Sequence, residues 1–389
     1  MKVLYSSIYR DGAGYSYAAL ENIMALDTVG IDVVCRPISL ARESHNMSND
    51  KIKELESKSL DNIDAVIQHI PADYFECKKG VKSIGMLEWE TQKIPAHWVE
   101  RCNMMDQIWV PCEHNKWACE NAGVTVPVVV LPHACDVKKY DYTGRLDWDV
   151  LKNKCVFYTI SEFSRRKNFS ALLRAYYHAF TSEDKVCLII KTSVDGFTDK
   201  QTTDHMKKFV SDIKKSANIF DDESKYPPVI CCTKRFTDEE IMKLHNSGDV
   251  FVLPSHGEAW SMPAHDALGF GKLLIVSKHG GFVDLASKYT YQTIDGNKHP
   301  VGVVSQGYCR FIEGQYTPCF GMLHHPDHLY SGKNLWFDPS VENLSAHMTT
   351  YYQMYLENNI SKYREAARSR AFQFSRENVG QIAKNILGA

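Results

Sequence analysis

Short apolar segments alternate with amphipathic ones along the chain. In the N-terminal part the apolar segments lie at residues 2–8, 29–34, 64–68, 81–87, 108–110 and 126–131. Between the first two, apolar residues recur at helical spacing, at Ala18, Ala19, Ile23, Met24 and Leu26. Strands that alternate with helices predict a parallel sheet with helices on both faces.

A polar stretch, residues 141–154, interrupts this pattern and is interpreted as an interdomain linker. A second series follows, with strands predicted at 156–160, 186–191, 229–232, 250–253 and 273–276 and a helix at 169–180. The tail from 341 to 387 is helical in pattern and carries an apolar stripe near its end. The sequence therefore predicts an α/β protein with two Rossmann-like domains facing each other across a cleft. The expected boundaries are 1–145, 146–370 and a C-terminal helix, 371–389, that packs back on the first domain.

Composition and charge narrow the function classes. The chain has 389 residues, of which 44% are hydrophobic and 24% charged, and a formal net charge of −2. No global positive field recruits nucleic acid or an anionic membrane. No apolar run approaches the roughly 20 residues that span a bilayer, and the first residues are too polar for a signal peptide. The 12 cysteines lack zinc-site spacing, so we expect reduced thiols in a soluble, cytoplasmic protein.

The segment 249–271, DVFVLPSHGEAWSMPAHDALGFG, carries the strongest chemical signal. A buried strand ends before a loop that contains Glu258, and Pro263 suits the first turn of the following helix. Asp266 is expected in that same first turn, so both carboxylates lie at the carboxyl end of a parallel strand, where such sheets bind ligands. The loop and helix N-terminus offer backbone N–H groups to a diphosphate. The loop residues concerned are Ala259, Trp260 and Ser261.

This segment resembles the E-x7-E signature of retaining glycosyltransferases with the GT-B fold, family four (glycosyl transferases group 1), usually PSxxEGFGLPxxEAxAxG. Here Asp266 stands for the second glutamate. The segment 277–281, SKHGG, is similar to the strand and glycine turn that follow the signature. Upstream, MLEWET at 86–91 and IWVP at 108–111 resemble a subgroup with WET and VWVP segments, and VLPHACD at 130–136 resembles the interdomain PHGVD. The similar segments run in family order from about residue 3 to beyond Trp336.

The resemblance implies a retaining transfer of sugar from a UDP- or GDP-sugar to a hydroxyl acceptor, without a metal ion or other cofactor. Residues 1–145 would form the acceptor domain and 146–370 the donor domain. Glu258 would contact the donor sugar, Asp266 the ribose and Lys167 the departing diphosphate. The family's Gly-Arg falls at Ser161-Glu162, so Arg166 or Arg165 would replace its arginine.

Residues of the first domain complete the implied site. Gly12 and Gly14 form a glycine turn that lets the first helix approach the donor phosphates. His69 ends a predicted strand where family members place a histidine near the sugar. Glu90 and Trp89 are expected to line the acceptor side. The motif Asp147-Trp148-Asp149 is similar to a metal-binding DxD, but its place in the linker favours a coincidental polar loop.

Several alternatives stay open at this stage. A glycan or glycolipid acceptor is favoured, and a hydroxymethylated DNA base, as in some phage enzymes, is the alternative. A nucleotide-sugar epimerase would use the same fold without an acceptor. Because Asp266 stands for the second glutamate and the family's Gly-Arg is absent, a sugar-nucleotide binder without catalysis is a further alternative. The chain is expected to be a monomer or homodimer.

Overall fold

The computed structural model describes residues 1–11, 14–39, 50–294, 297–304, 306–322 and 329–389. The first sheet is parallel throughout and has the order β2-β1-β3-β4-β5-β6. Its strands are β1 (Lys2–Ser7), β2 (Asp32–Pro37), β3 (Ala65–His69), β4 (Lys82–Met86), β5 (Gln107–Val110) and β6 (Val128–Val130). Helices α1 (Gly14–Thr28), α2 (Asp50–Ser57), α3 (Ala96–Asn103) and α4 (Glu113–Ala122) alternate with these strands.

The second sheet is also parallel and has the order β14-β11-β10-β7-β8-β9. Its strands are β7 (Cys155–Ile160), β8 (Val186–Lys191), β9 (Val229–Cys232), β10 (Val250–Leu253), β11 (Leu273–Ser277) and β14 (Cys309–Ile312). The helices of this half are α5 (Phe169–Ala179), α6 (Asp199–Ala217), α7 (Asp238–Ser247), α8 (Met262–Gly269) and α9 (Gly281–Ala286). The predicted α/β architecture with two Rossmann-like sheets is confirmed.

Two antiparallel hairpins were not predicted from the sequence. They are β12 (Tyr289–Ile294) with β13 (Asn297–Val303), and β15 (Gly314–Pro318) with β16 (Leu335–Pro339). The second hairpin reaches the first domain, where Gln92 donates its backbone N–H to the Leu335 carbonyl over 3.0 Å. It therefore covers part of the boundary between the two sheets.

The chain ends in helices, as predicted: α10 (Val341–Leu356), α11 (Arg364–Phe372) and α12 (Arg376–Leu387). Helix α12 crosses back onto α1, where Arg376 pairs with Glu21 over 2.7 Å and Lys384 donates to the Val29 carbonyl over 3.1 Å. The helices pack closely, because a Cβ added at Gly380 would lie 2.3 Å from the Ala25 carbonyl oxygen. The predicted return of the C-terminal helix is thus observed.

Two local predictions were wrong. The strand expected at 29–34 begins at Asp32, because Gly30 has a φ of +80° and closes the C-terminus of α1. Asp266 lies in the second turn of α8 rather than in the first. The helix starts at Met262 because Ser261 adopts a φ of +80°, which places Pro263 in the first turn and Asp266 one turn later.

Ten of the 12 cysteines are at least nine-tenths buried, and all 12 are free thiols. Within the described ranges, none of the helices is long and apolar enough to cross a membrane.

Candidate active site

The loop between β10 and α8 holds the carboxylate of Glu258 at the end of the second sheet. Ser255 donates to Glu258 Oε1 over 2.8 Å, and its own carbonyl accepts from the Ser277 hydroxyl over 2.6 Å. The predicted glycine turn supports the loop, since Gly281 donates its N–H to the Glu258 carbonyl over 2.8 Å. A Cβ at Gly280 would lie 2.2 Å from that same carbonyl oxygen. The two glycines are required because the turn approaches the loop backbone directly.

Two basic residues converge on Glu258. The short 3₁₀ turn at Arg165–Lys167, between β7 and α5, places Lys167 Nζ 2.6 Å and Arg166 Nη1 3.0 Å from Glu258 Oε1. Arg166 Nη1 also donates to the Gly257 carbonyl over 2.7 Å. The sequence predicted these residues on one side of a cleft, and the structure brings them into contact.

Burial and charge set the protonation of this group. Desolvation alone raises the pKa of Glu258, but Lys167 and Arg166 outweigh it and the pKa is lowered. Burial, with the neighbouring Arg166, lowers the pKa of Lys167, and the attraction of Glu258 opposes this shift. We infer a charged Lys167–Glu258 pair, because the lowered pKa of Glu258 favours its ionised form and a buried carboxylate needs the cationic partner that lies 2.6 Å away.

Arg165 lies apart from this pair. Its guanidinium carbon is 5.5 Å from the centre of the Phe320 ring, over the surface of the second hairpin. Of the two arginines that could replace the family arginine, Arg166 is therefore the one that reaches Glu258.

Asp266 faces the 3₁₀ turn Val137–Asp141, which lies between the two sheets along the chain. Its Oδ1 lies 2.6 Å from Lys139 Nζ and accepts from the Tyr140 hydroxyl over 3.0 Å. Burial alone raises the pKa of Asp266, but the charge of Lys139 outweighs it and the pKa is lowered. Its expected ribose contact stays a prediction. Sequence reasoning missed Lys139 and Tyr140, because the pairing spans 126 residues.

The WET segment crosses from the first domain to the loop between β10 and α8, residues 254–261, which we call the donor loop. Trp89 is 2% exposed, and its backbone N–H and carbonyl both bond to the Asn115 amide. Glu90 Oε1 lies 3.5 Å from Arg166 Nη2, and its Oε2 accepts from the Tyr330 hydroxyl over 2.6 Å. Glu90 was expected on the acceptor side. The structure shows its carboxylate beside the 3₁₀ turn at Arg165–Lys167, and the acceptor-side role stays a prediction.

The backbone of Glu90 also contacts the donor loop. A Cβ added at Gly257 would lie 2.2 Å from the Glu90 carbonyl oxygen. The two domains therefore touch directly at the residue that precedes Glu258.

The glycine turn before α1 is described in part. Gly12 lies outside the described residues, and Gly14 is the first residue of α1, with open space where a Cβ would stand. Tyr15 follows, and its ring centre is 4.5 Å from that of His69. The start of α1 therefore lies against the end of β3, and the approach of α1 to the donor phosphates stays a prediction.

His69 is fully buried and both of its ring nitrogens are engaged. Nδ1 lies 2.8 Å from the Tyr5 hydroxyl, and Nε2 lies 3.1 Å from Glu88 Oε1. Burial lowers the pKa of His69. Glu88 Oε1 in turn lies 2.9 Å from His133 Nε2.

Several buried hydroxyls at the cleft have no hydrogen-bond partner within the described part of the chain: Tyr15, Ser161 and Ser261. Ser161 follows β7, Ser261 precedes α8, and Tyr15 opens α1. Because buried polar groups are normally paired, these three positions suit the oxygen-rich groups of a ligand. Trp260 itself is buried and its indole N–H donates to His265 Nδ1 over 3.2 Å, so its ring is part of the packing. Ala259 is equally buried, and a ligand contact there would be through its backbone.

Comparison with known proteins finds a family that resembles part of the second half. Residues 147–295 match the family model for glycosyl transferases group 1. This stretch is similar to a group 1 glycosyl transferase domain. A 75-residue stretch is 32% identical to the glycogen synthase of Pseudothermotoga lettingae. That match spans 19% of this chain and 15% of the length of the glycogen synthase.

Solved structures with the same fold cover nearly all of the chain. HepE of Anabaena, solved in complex with UDP and glucose, is 14% identical, with 100% of both chains covered and a TM-score of 0.60. The sucrose-phosphate synthase of Thermosynechococcus elongatus is 11% identical, with 99% of this chain and 98% of that chain covered and a TM-score of 0.60. These neighbours share the GT-B fold, and together with the family match they support a glycosyltransferase.

Proposed function

We propose that the protein is a retaining glycosyltransferase that moves a sugar from a nucleotide diphosphate donor to a hydroxyl acceptor without a metal ion. The observation that carries the proposal is the contact of Glu258 with Lys167 and Arg166 at the carboxyl end of β10. The residues at 146–370 would form the donor domain, and those at 1–145 the acceptor domain. The group 1 match supports this assignment for the donor half.

The charges at the site fit departure of a diphosphate. As the bond from the sugar to the phosphate breaks, negative charge builds on the phosphate oxygens. Lys167, Arg166 and the N–H groups at the start of α8 would stabilise that charge in place. Glu258, between the two cations, would orient the sugar through its hydroxyls. The donor diphosphate must therefore compete with Glu258 for contact with Lys167 and Arg166.

The retaining outcome is proposed on the resemblance of the 249–271 segment to the family signature. The positive charge that develops on the sugar ring would lie between the donor loop and the ends of β3 and β4. Domain contact at Gly257 and Glu90 would exclude water, which otherwise hydrolyses the donor. His69 would lie on the sugar side, and Asp266 would reach the ribose after release from Lys139.

UDP is the preferred nucleotide of the proposal, since HepE has been solved with UDP and with UDP-glucose. A glycan or glycolipid is the preferred acceptor. Transfer to a hydroxymethylated DNA base is the alternative, against which the net charge of −2 counts.

A donor panel tests the proposal. Thermal shift with UDP-, GDP- and ADP-sugars should identify a donor, because a ligand that binds the native state alone raises its stability. The selected donor should then be consumed at the same rate with and without excess EDTA. Loss of turnover on chelation, with recovery on addition of manganese, would contradict the metal-independent mechanism. Binding of a donor without any turnover across an acceptor panel would instead indicate a sugar-nucleotide binder.

A further inference from the structure

Two buried histidines and a partly exposed glutamate meet where β3, β4 and β6 end. Glu88 Oε1 lies 3.1 Å from His69 Nε2 and 2.9 Å from His133 Nε2. The two rings are stacked, with centres 5.7 Å apart and planes inclined by 26°. Glu88 thus stands between two imidazoles, and both contacts use the same carboxylate oxygen.

The proton on His133 is fixed by its other neighbour. Asn22 Oδ1 accepts the Ala134 N–H over 3.1 Å, which orients the amide so that Nδ2 points at His133 Nδ1 over 3.1 Å. An amide nitrogen donates only, so His133 Nδ1 accepts and its proton resides on Nε2. His133 Nε2 lies in polar contact with Glu88 Oε1, at 2.9 Å, although within the described part of the chain it forms no aligned hydrogen bond.

His69 follows the same pattern. Because burial lowers its pKa, the ring is neutral near pH 7. The Tyr5 hydroxyl donates to Nδ1 and leaves the proton on Nε2, directed at Glu88. Desolvation opposes ionisation of Glu88, but the electrostatic attraction of His133 and the hydrogen bond from His69 outweigh it and lower the pKa of Glu88. The cluster is an ionised carboxylate in contact with two imidazole rings.

Two histidines and a glutamate at this spacing also suit a divalent metal ion. A metal-bound histidine needs a bare Nε2 and donates its Nδ1–H to a carbonyl or carboxylate. At His133 the partner of Nδ1 is the donating amide of Asn22, which enforces the opposite tautomer. The surroundings of the cluster therefore favour an ionised, metal-free Glu88 carboxylate over a set of metal ligands.

The carboxylate is the member of the cluster that reaches the cleft. The Glu88 side chain is 17% exposed, whereas those of His69 and His133 are 0% and 1% exposed. Tyr15, in the first turn of α1, lies against His69, and Trp260, from the donor loop, lies 6.1 Å from His133 between ring centres. The partly exposed carboxylate of Glu88 therefore lies between the start of α1 and the donor loop, which would flank a donor sugar. Among the described residues its ion-pair contacts are with the two histidines, so its negative charge meets no cationic lysine or arginine.

We propose that Glu88, and not His69, is the group of this cluster that contacts the donor sugar, and that its charge stabilises the positive charge developing on the sugar ring. His69 and His133 are positioning residues: His69 holds the carboxylate through its Nε2–H group, and His133 Nε2 contacts the same oxygen. This role rests on the proposed sugar transfer. A fixed charge in a buried site acts strongly on a nearby developing charge because no solvent reorganisation is needed.

The isosteric substitution Glu88→Gln tests the charge. The glutamine oxygen can occupy the position of Oε1 and accept the same N–H groups, so the change removes charge and little else. We expect kcat to fall at least tenfold, with the donor KM within about twofold of wild type. His69→Gln should retain a larger share of kcat, because its amide nitrogen can replace the ring Nε2–H. Glu120→Gln, at an exposed position of α4, is the matched control and should match wild type.

The outcomes separate this inference from the proposed function. Wild-type kcat in Glu88→Gln, or a larger loss in His69→Gln, would overturn the assignment to Glu88 while sugar transfer stands. A fall of kcat, donor affinity and melting temperature together would show a merely structural role. Wild-type protein that turns over no nucleotide sugar would overturn the proposed function itself.

A measurement on the unmodified protein does not depend on the variants. Nitrogen-15 chemical shifts of labelled histidine should report the Nε2–H tautomer for His133 and His69. The Nδ1–H tautomer at His133, or one equivalent of zinc in the purified protein that is lost in Glu88→Gln, would overturn the anionic cluster.

Discussion

At the scale of single residues, the cations of the candidate site already have carboxylate partners. Lys167 and Arg166 contact Glu258, and Lys139 contacts Asp266. A donor diphosphate would therefore exchange one set of charge contacts for another. Such an exchange costs little where the incoming anion carries more charge than the carboxylate that it displaces. The turn at 165–167 is therefore where removal of a charge should affect the reaction most.

Lys167→Ala should lower kcat at least tenfold. The ammonium would meet growing negative charge on the leaving diphosphate, and a charge-assisted hydrogen bond contributes roughly 1.5–3 kcal/mol. About 1.4 kcal/mol of barrier corresponds to one decade in rate. Lys167→Arg should recover only part of the loss, since a planar fork does not reproduce the point position of an ammonium. Steady-state kinetics with the donor found by thermal shift would measure both.

Lys243→Ala is the control for that experiment. Lys243 forms an exposed pair with Glu239 on α7, at 2.8 Å, and its removal should leave kcat unchanged. Wild-type turnover in Lys167→Ala, with the fold intact by circular dichroism, would place the diphosphate elsewhere. Arg166→Ala and Arg165→Ala should differ, with the larger loss at Arg166, because Arg166 is the arginine in contact with Glu258.

At the scale of elements, the glycines around the cleft are of two kinds. Some are required by packing within the protein, and others would be required only by the approach of a ligand. Gly14 opens α1, and no described residue lies within 4 Å of a Cβ built there, whereas a Cβ at Gly257 would meet the Glu90 carbonyl oxygen at 2.2 Å. The described part of the protein therefore requires glycine at 257 and not at 14. If the donor phosphates approach the start of α1, the demand for glycine at 14 comes from the ligand.

Gly14→Ala should leave stability equal or slightly higher and weaken donor binding. Alanine is favoured over glycine in helices by up to about 1 kcal/mol, while the added methyl group would stand between α1 and the phosphates. Gly257→Ala should instead destabilise the free protein by about 1–3 kcal/mol, the usual cost of overpacking. Urea unfolding and UDP titration by calorimetry would separate the two. Unchanged UDP affinity in Gly14→Ala would remove the turn before α1 from the donor site.

The elements also show what the sequence could predict. Strands β8, β9 and β10 have the predicted bounds because each is a short apolar run with turn residues around it. The second hairpin escaped prediction because its first strand, GQYTP, is mostly exposed and has no apolar pattern. Glu258 and Lys167 could be proposed from the sequence because each belongs to a local motif, and their roles stay predictions. Glu88 was missed because its partners come from other strands, 19 residues away at His69 and further at His133.

At the scale of the whole molecule, contacts between the two halves hold the cleft in place. The donor loop contacts the WET segment, the second hairpin contacts Glu90 through Tyr330, and α12 packs on α1. A further contact lies at Asp284 in α9, whose Oδ1 accepts the backbone N–H of Glu113 over 3.2 Å. Glu113 begins α4, and the preceding Cys112 gives that helix no side-chain cap. A carboxylate of one domain therefore caps a helix of the other.

This cap makes the stability of the protein depend on pH. Burial raises the pKa of Asp284 to about 7, and its buried Oδ2 has no hydrogen-bond partner among the described residues. An unfolded aspartate titrates near pH 3.9, so between about pH 4 and pH 7 the folded protein retains a proton that the unfolded chain has released. The contribution of Asp284 is therefore most favourable below pH 4, declines as the pH rises toward 7, and is constant above it.

Asp284→Asn should remove that decline. The amide oxygen can still accept the Glu113 N–H, and no proton is lost as the pH rises, so the variant should gain stability relative to wild type between pH 5 and pH 8. Urea midpoints at both values would measure the change. Asp212→Asn, in an exposed pair with Lys208 on α6, is the control and should follow the wild-type profile. The direction of the difference decides the test. If the stability advantage of Asp284→Asn over wild type shrinks from pH 5 to pH 8, or if the two proteins are equally stable at both values, Asp284 is ionised in the folded protein. The helix of the first domain would then be capped by a charge, and the two halves would be held together more tightly at neutral pH than in acid.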